Sequence, residues 1–232
     1  MTGGGRVGRF ITFEGPDGSG KTTQLERLAA RLRAAGRIVT VTREPGGTAL
    51  GERVRAILLH ATELHLAPAA DALLFNAARA QQVAEVVRPA LARGEVVLCD
   101  RFADSTLAYQ GHGSGQPLDP LRAVEAFAIG DCRPDLTILL DLPTEVGLAR
   151  RQAAADANRF EEEFDVAFHR RVRDGYLALA AAEPARFTVV DAAGPPGAVE
   201  AEVAAAVARR LPELLPAGAA GEPHVPGLRM DR

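Results

Sequence analysis

Lysine is almost missing from this chain. Of its 27 Lys and Arg residues, Lys21 alone is a lysine, and every other basic side chain is a guanidinium. A bias toward arginine explains the trend and makes the exception informative. The scarcity also argues against one class of protein, because reading guanine through an Asn-Lys-x-Asp motif needs a second lysine. Cysteine is scarce too. Cys99 lies in an apolar run and Cys132 follows an acid near a helix end, so the two read as free thiols rather than as a disulfide framework. No stretch approaches the roughly 18 apolar residues of a membrane span. The first residues, Met1-Thr2-Gly3-Gly4-Gly5-Arg6, lack the apolar centre of a secretory signal. The five histidines are scattered, without the Cys/His clustering of a zinc site. A net charge of −3 gives no footprint for nucleic acid. These absences predict a soluble, cytoplasmic protein with neither nucleic acid nor membrane as a partner.

What is present points to an α/β protein. A hydrophobic content of 47% over 232 residues sustains one core. Strand signals recur at 9–14, 37–42, 96–100, 136–142 and 187–191, and the third and fourth are nearly continuous apolar runs, as in parallel strands covered on both faces. Between them, helical spacing covers 22–35, 50–59, 68–93, 119–130, 144–152, 161–182 and 197–212. The alternation predicts a doubly wound, parallel five-stranded sheet with helices on both faces and ligands at the C-terminal strand ends. Residues 1–8 read as a flexible N-terminus, 9–212 as a single domain with a lid at about 150–160, and 213–232 as a disordered tail.

The lysine sits in Gly15-Pro16-Asp17-Gly18-Ser19-Gly20-Lys21-Thr22, a full match to G-x-x-x-x-G-K-[ST]. The match follows the first strand and opens the first helix, so backbone N–H groups and the helix N-terminus face one anion together. A cradle of this kind leaves room for a point charge and little for a planar fork. Gly15 to Thr22 are therefore expected to hold the phosphates of a nucleotide, with the Thr22 hydroxyl offered to Mg²⁺; the loop alone does not tell a kinase from an ATPase or a GTPase.

Three more segments carry chemistry. Arg43-Glu44-Pro45-Gly46-Gly47-Thr48 ends the second strand. Leu73-Leu74-Phe75-Asn76-Ala77-Ala78-Arg79 lies inside a long helix, with Phe75 and Arg79 one turn apart. Asp100-Arg101-Phe102 closes the third strand and is followed by Ser105-Thr106 and Ala108-Tyr109-Gln110-Gly111. Asp100 is either the N-cap of the segment from Ala103 or a Walker-B-type acid for Mg²⁺; Arg101 beside it favours the metal. Asp17 within the phosphate loop is either a turn residue or a contact to substrate. Arg150, Arg151 and Arg159 fit a lid that closes over ATP and brings cations to the transferring phosphoryl, or they are surface residues of an Arg-rich chain.

In this order and spacing the four segments resemble the thymidylate kinase family, P-loop enzymes that phosphorylate dTMP to dTDP, and the resemblance runs from about Phe10 to Asp191. It implies a P-loop kinase architecture with a short lid, ATP and Mg²⁺ as cofactors, dTMP as acceptor and assembly as a homodimer. It implies that Arg101 holds the acceptor's 5′-phosphate, that Phe75 stacks on thymine and that Arg79 bonds its carbonyl. It further implies that Asp17 meets the 3′-hydroxyl, that Tyr109 crowds the sugar's 2′ position, and that Ser105, Thr106, Arg43 and Pro45 shape the acceptor pocket. Family members place the catalytic arginine either in the phosphate loop or in the lid, and Gly18 places this chain with the second kind. The middle of the lid carries Ala153-Ala154-Ala155 where relatives often have arginines, so the catalytic one is left open between Arg150 and Arg159, with Arg151 expected to face solvent. Two other readings stay open at this level: a kinase of another nucleotide or nucleoside, and a nucleotide-binding module without activity.

Overall fold

Sequence runs that are apolar without alternation become strands covered on both sides. The computed structural model describes residues 8–61, 63–153 and 165–215. Its strands are β1 (Arg9–Glu14), β2 (Val39–Arg43), β3 (Val96–Asp100), β4 (Leu136–Asp141) and β5 (Phe187–Asp191). They form one parallel sheet in the order β2-β3-β1-β4-β5. The three central strands are almost wholly buried, whereas β2 and β5 at the edges are only partly so.

Alternate residues of each strand feed opposite layers. Ile11, Phe13, Leu98 and Ile138 pack under α1 (Lys21–Ala34) and the last described helix (Pro196–Arg210). Phe10, Val97 and Cys99 face the other way, against Val83, Val87 and Ala90. Helix α1 ends as its sequence predicts: the N–H of Gly36 bonds the carbonyl of Arg33 and that of Arg37 bonds the carbonyl of Leu32. That pair of bonds needs a left-handed residue, and Gly36 has a φ of 75°.

The helix expected at 68–93 is interrupted. It runs as α3 (Pro68–Gln82), opens into a π-helical turn at Val83–Val87, and resumes as α4 (Arg88–Ala92). Pro89 explains the break, since it has no N–H and its ring crowds the carbonyl one turn back. Helix α2 (Ala49–His60) is capped by Thr48, whose hydroxyl accepts the N–H of Gly51 at 2.9 Å. The segment after β3 is helical, as α5 (Ala103–Thr106) continuing into a π-helical stretch at Leu107–Gly113, a helix foreseen only in the alternative reading of Asp100 as an N-cap. Next come α6 (Leu118–Ile129) and α7 (Thr144–Gln152).

Helix α8 (Val166–Ala182) is capped by Asp165, whose side chain accepts the N–H of Phe168. The expected helix at 161–164, most of the lid with Arg159, the N-terminal 1–7 and the tail from 216 lie outside the described residues. Helix α9 (Pro196–Arg210) is followed by Leu214 and Leu215, both buried in the core, so packing continues past the expected boundary at 212. Among the described residues no helix is long and apolar enough to cross a membrane.

Candidate active site

The C-terminal ends of β1, β2 and β3 lie side by side, with Phe13 and Arg43 both level with Asp100. A cavity of about 590 Å³ opens above them, lined by the phosphate loop, the ends of β2 and β3, α3, Ser105 and Thr106, and α7.

Two of the loop's glycines, Gly15 and Gly18, are required by contact. Gly18 has a φ of 74°, and a Cβ there would stand 2.1 Å from the carbonyl oxygen of Gly147. Gly147 is equally constrained, since its Cβ would meet the carbonyl of Asp17 at 2.5 Å. Two bare backbones thus let α7 rest directly on the phosphate loop. Within the loop Lys21 is buried, and its Nζ donates to the carbonyls of Gly15 at 3.1 Å and Pro16 at 2.9 Å. Burial pulls its pKa down to about 8, helped by Arg101 and opposed by Asp17 and Asp100. An anion in the cradle would restore the charged form. Thr22 Oγ1 donates to Asp100 Oδ2 at 2.6 Å, which brings a hydroxyl and a carboxylate together at the cavity floor. Two oxygen donors suit a hard divalent ion such as Mg²⁺.

Asp17 and Arg101 form the second centre. Arg101 Nη2 donates to Asp17 Oδ1 at 2.6 Å, and the Tyr109 hydroxyl donates to Asp17 Oδ2 at 3.0 Å. Burial opposes ionisation of Asp17, but Arg101, Lys21 and Arg151 together hold its pKa below the usual carboxylate range. The Arg101 guanidinium lies 4.8 Å from the centre of the Tyr109 ring and also donates to Gly15 O, Ser105 and Tyr176.

The acceptor-side residues divide by depth. Phe75, Pro45, Arg43, Ser105, Thr106 and Tyr109 line the cavity. Arg43 donates to Glu52, which also accepts the N–H of Gly47. Arg79 does not line the cavity. It is 1% exposed and lies below it, donating from Nε to Glu44 Oε2 at 2.8 Å, from Nη1 to Asn76, and from Nη2 to Phe102 O and Thr106. Four bonds leave one of its five N–H groups uncommitted among the described residues. Burial raises the pKa of Glu44 to about 7 against the pull of Arg79.

The arginines of α7 are arranged differently from expectation. Arg150 lines the cavity but spends Nη1 and Nη2 on the carbonyls of Ala192 and Ala193, both at 2.8 Å. Arg151, expected to face solvent, instead reaches the site: its side chain is 23% exposed and its Nη1 lies 3.2 Å from Asp17 Oδ1. Seating α7 on Gly18 brings this position inward. Sequence reasoning also passed over Arg55 and Gln110, which line the cavity, and Glu14 and Tyr176 beneath it. Glu14 ends β1 immediately before the loop, which was the signal available. Burial pushes its pKa up to about 7, with Asp104 adding and Arg101 opposing.

Comparison with known proteins agrees with this geometry. The family model described as Thymidylate kinase matches residues 13–203. The thymidylate kinase of Deinococcus radiodurans is 57% identical over 203 residues, 88% of this chain and 98% of that protein. The thymidylate kinase of Citrifermentans bemidjiense is 52% identical over 220 residues, 92% and 97% of the two chains. The crystal structure of thymidylate kinase from Ehrlichia chaffeensis superposes with a TM-score of 0.71 at 35% identity, covering 86% of this chain and 98% of that one. With the phosphate loop, the acid–arginine pair after β3 and the aromatic on α3 converging on one cavity, the chain belongs to the thymidylate kinase family.

Proposed function

We infer that the chain transfers the γ-phosphoryl group of ATP to the 5′-phosphate of dTMP, giving dTDP and ADP. It is a dTMP kinase and serves dTTP synthesis. The observation that carries this reading is one cavity lined by the phosphate loop together with Phe75, Tyr109 and Arg101. Transfer is direct and in line, with no covalent enzyme intermediate, so the protein's work is positioning and charge neutralisation.

Gly15, Pro16, Asp17, Gly18, Ser19, Gly20, Lys21 and Thr22 hold the ATP phosphates. Lys21 offsets their charge, and Arg101 grips the acceptor phosphate. Thr22 and Asp100 would hold Mg²⁺, which would offset phosphate charge there. Asp17 meets the sugar's 3′-hydroxyl and keeps Arg101 aimed. Arg79 acts beneath the base pocket, where it holds Glu44 and Thr106 in place. Arg150, Arg151 and Arg159 are the lid-side cations. A coupled ADP assay with dTMP, dUMP, the ribose form of TMP, dGMP, dCMP and thymidine tests the reading; equal turnover of dGMP and dTMP would sink it.

One prediction follows from the base pocket. Phe75 lines the cavity yet leans on Val54, Leu58 and Leu59, so its ring is already ordered. Phe75→Ala is expected to remove about 1–2 kcal/mol of stacking and raise KM for dTMP roughly 5- to 30-fold. KM for ATP stays within about twofold. Unchanged dTMP binding would return Phe75 to a packing role.

We also infer a homodimer working in the cytoplasm. Phe127 on α6 is 92% exposed and Leu73 on the neighbouring α3 is 54% exposed, apolar surface that a second copy would cover. Both cysteines are free, buried thiols, as suits a reducing compartment. Phe127→Asp should shift the sedimentation profile from dimer to monomer, and an unshifted profile would place the contact elsewhere.

A further inference from the structure

Arg101 has a φ of 66° and is the one non-glycine residue in the left-handed region among the described residues. Such a conformation persists only where the surroundings over-determine it. Here the Arg101 N–H donates to Phe13 O at 2.9 Å, and Cys99 Sγ lies 3.0 Å from Arg101 O. Arg79 holds the next carbonyl, that of Phe102. The Phe102 N–H donates to Glu14 Oε1 at 2.7 Å. Of these partners only Glu14 also reaches the tip of the side chain. Its Oε2 accepts the hydroxyls of Ser105 at 2.7 Å and Tyr176 at 2.9 Å, and both hydroxyl oxygens accept from Arg101 Nη1, at 3.2 and 3.0 Å.

The polarity of this arrangement is directional. With both hydroxyl protons turned to the carboxylate, their lone pairs face the guanidinium. One carboxylate therefore fixes the backbone on one side of Arg101 and the acceptors at its far end. Glu14 itself is fully buried and does not line the cavity, so it does not touch a substrate.

We propose that Glu14 is a positioning residue for acceptor binding, acting through the Phe102 N–H, Ser105 and Tyr176 to hold Arg101 in the conformation that grips the acceptor phosphate. This rests on the reading of Arg101 given above. An amide in place of the carboxylate cannot serve both sides. It presents NH₂ either to the Phe102 N–H or to the two hydroxyls, whose protons must then turn toward Arg101.

The test is steady-state kinetics on Glu14→Gln, Tyr176→Phe, Arg101→Ala and the two combinations with Arg101→Ala, with thermal melts alongside. Glu14→Gln is expected to raise KM for dTMP about 10-fold and Tyr176→Phe about 3- to 5-fold, with KM for ATP within about twofold. Arg101→Ala is expected to raise KM for dTMP at least about 30-fold, and adding either other substitution should raise it less than about twofold further. That loss of effect in the Arg101→Ala background is the signature a purely structural role lacks. Should Glu14→Gln not fold, Tyr176→Phe in both backgrounds decides. If Arg101→Ala raises KM while Glu14→Gln and Tyr176→Phe leave it unchanged, the role of Glu14 falls alone. If Arg101→Ala leaves KM for dTMP unchanged, the reading of Arg101 falls with it.

Discussion

Lys21→Arg lowers kcat at least about 100-fold, roughly 2.7 kcal/mol of transition-state stabilisation, and leaves the fold intact. The substitution keeps the positive charge, so the loss reports shape. Lys21 Nζ sits within 3.1 Å of Gly15 O and 2.9 Å of Pro16 O, inside a loop whose carbonyls close around a single nitrogen. A guanidinium is wider, planar and fixed in the direction of its five donors. To enter, it must spread the loop, and Gly18 has no slack, since its Cα already abuts the backbone of Gly147. The arginine then stops short of the γ-phosphoryl or displaces α7. Kinetics with a coupled ADP readout, beside a circular-dichroism melt, check this. Near-normal turnover in a folded variant would mean that charge alone suffices at this position.

Local chemistry and long-range packing separate what the sequence displayed from what it hid. β4 was legible because Leu136-Thr137-Ile138-Leu139-Leu140 is a short run, apolar but for Thr137, as suits a strand covered on both faces. The phosphate loop was legible because its glycines, lysine and threonine are contiguous. The helix from Ala103 was barely legible. Ser105, Thr106, Gly111 and Gly113 are poor helix formers, and the segment is held by burial of Leu107, Ala108 and Tyr109 against α8 rather than by propensity. The long helix was read straight through Pro89, and the π turn before it shows why a proline inside helical spacing should have marked a break.

The site shows the same division. Arg79 and Phe75, one turn apart, suggested one shared surface, yet only Phe75 reaches the cavity. Arg79 turns under it because Glu44 offers a buried carboxylate there. Glu14 carried no motif of its own. Its partners lie 88, 91 and 162 residues away, at Phe102, Ser105 and Tyr176, and no local window contains them. Arg151 was misplaced because helical spacing gives a side chain's direction only once the helix's neighbours are known.

That last placement leads to the second large effect. Gly18 brings no cation to the loop, so the transition state's equatorial oxygens need one from the lid side. Arg150 and Arg151 both line the cavity, but with different commitments. Arg150 holds the carbonyls of Ala192 and Ala193 after β5, whereas Arg151 stands at Asp17, beside Arg101 and the phosphate loop. An arginine acting only in the transition state lowers kcat and leaves ground-state affinity nearly intact. Arg151→Ala is therefore expected to lose about 100-fold in kcat with ATP affinity within about threefold, a modest share of the leverage known for arginine fingers. Arg150→Ala is expected to raise KM for ATP about 10-fold with a smaller loss of kcat, because the loop after β5 loses its tether. The Arg150→Ala/Arg159→Ala double variant belongs in the series, with direct ATP-binding measurements on each protein. If that double variant loses about 100-fold in kcat while Arg151→Ala turns over normally, the transition-state cation comes from the Arg150/Arg159 pair. The pairing of Arg151 with Asp17 is then a resting arrangement only.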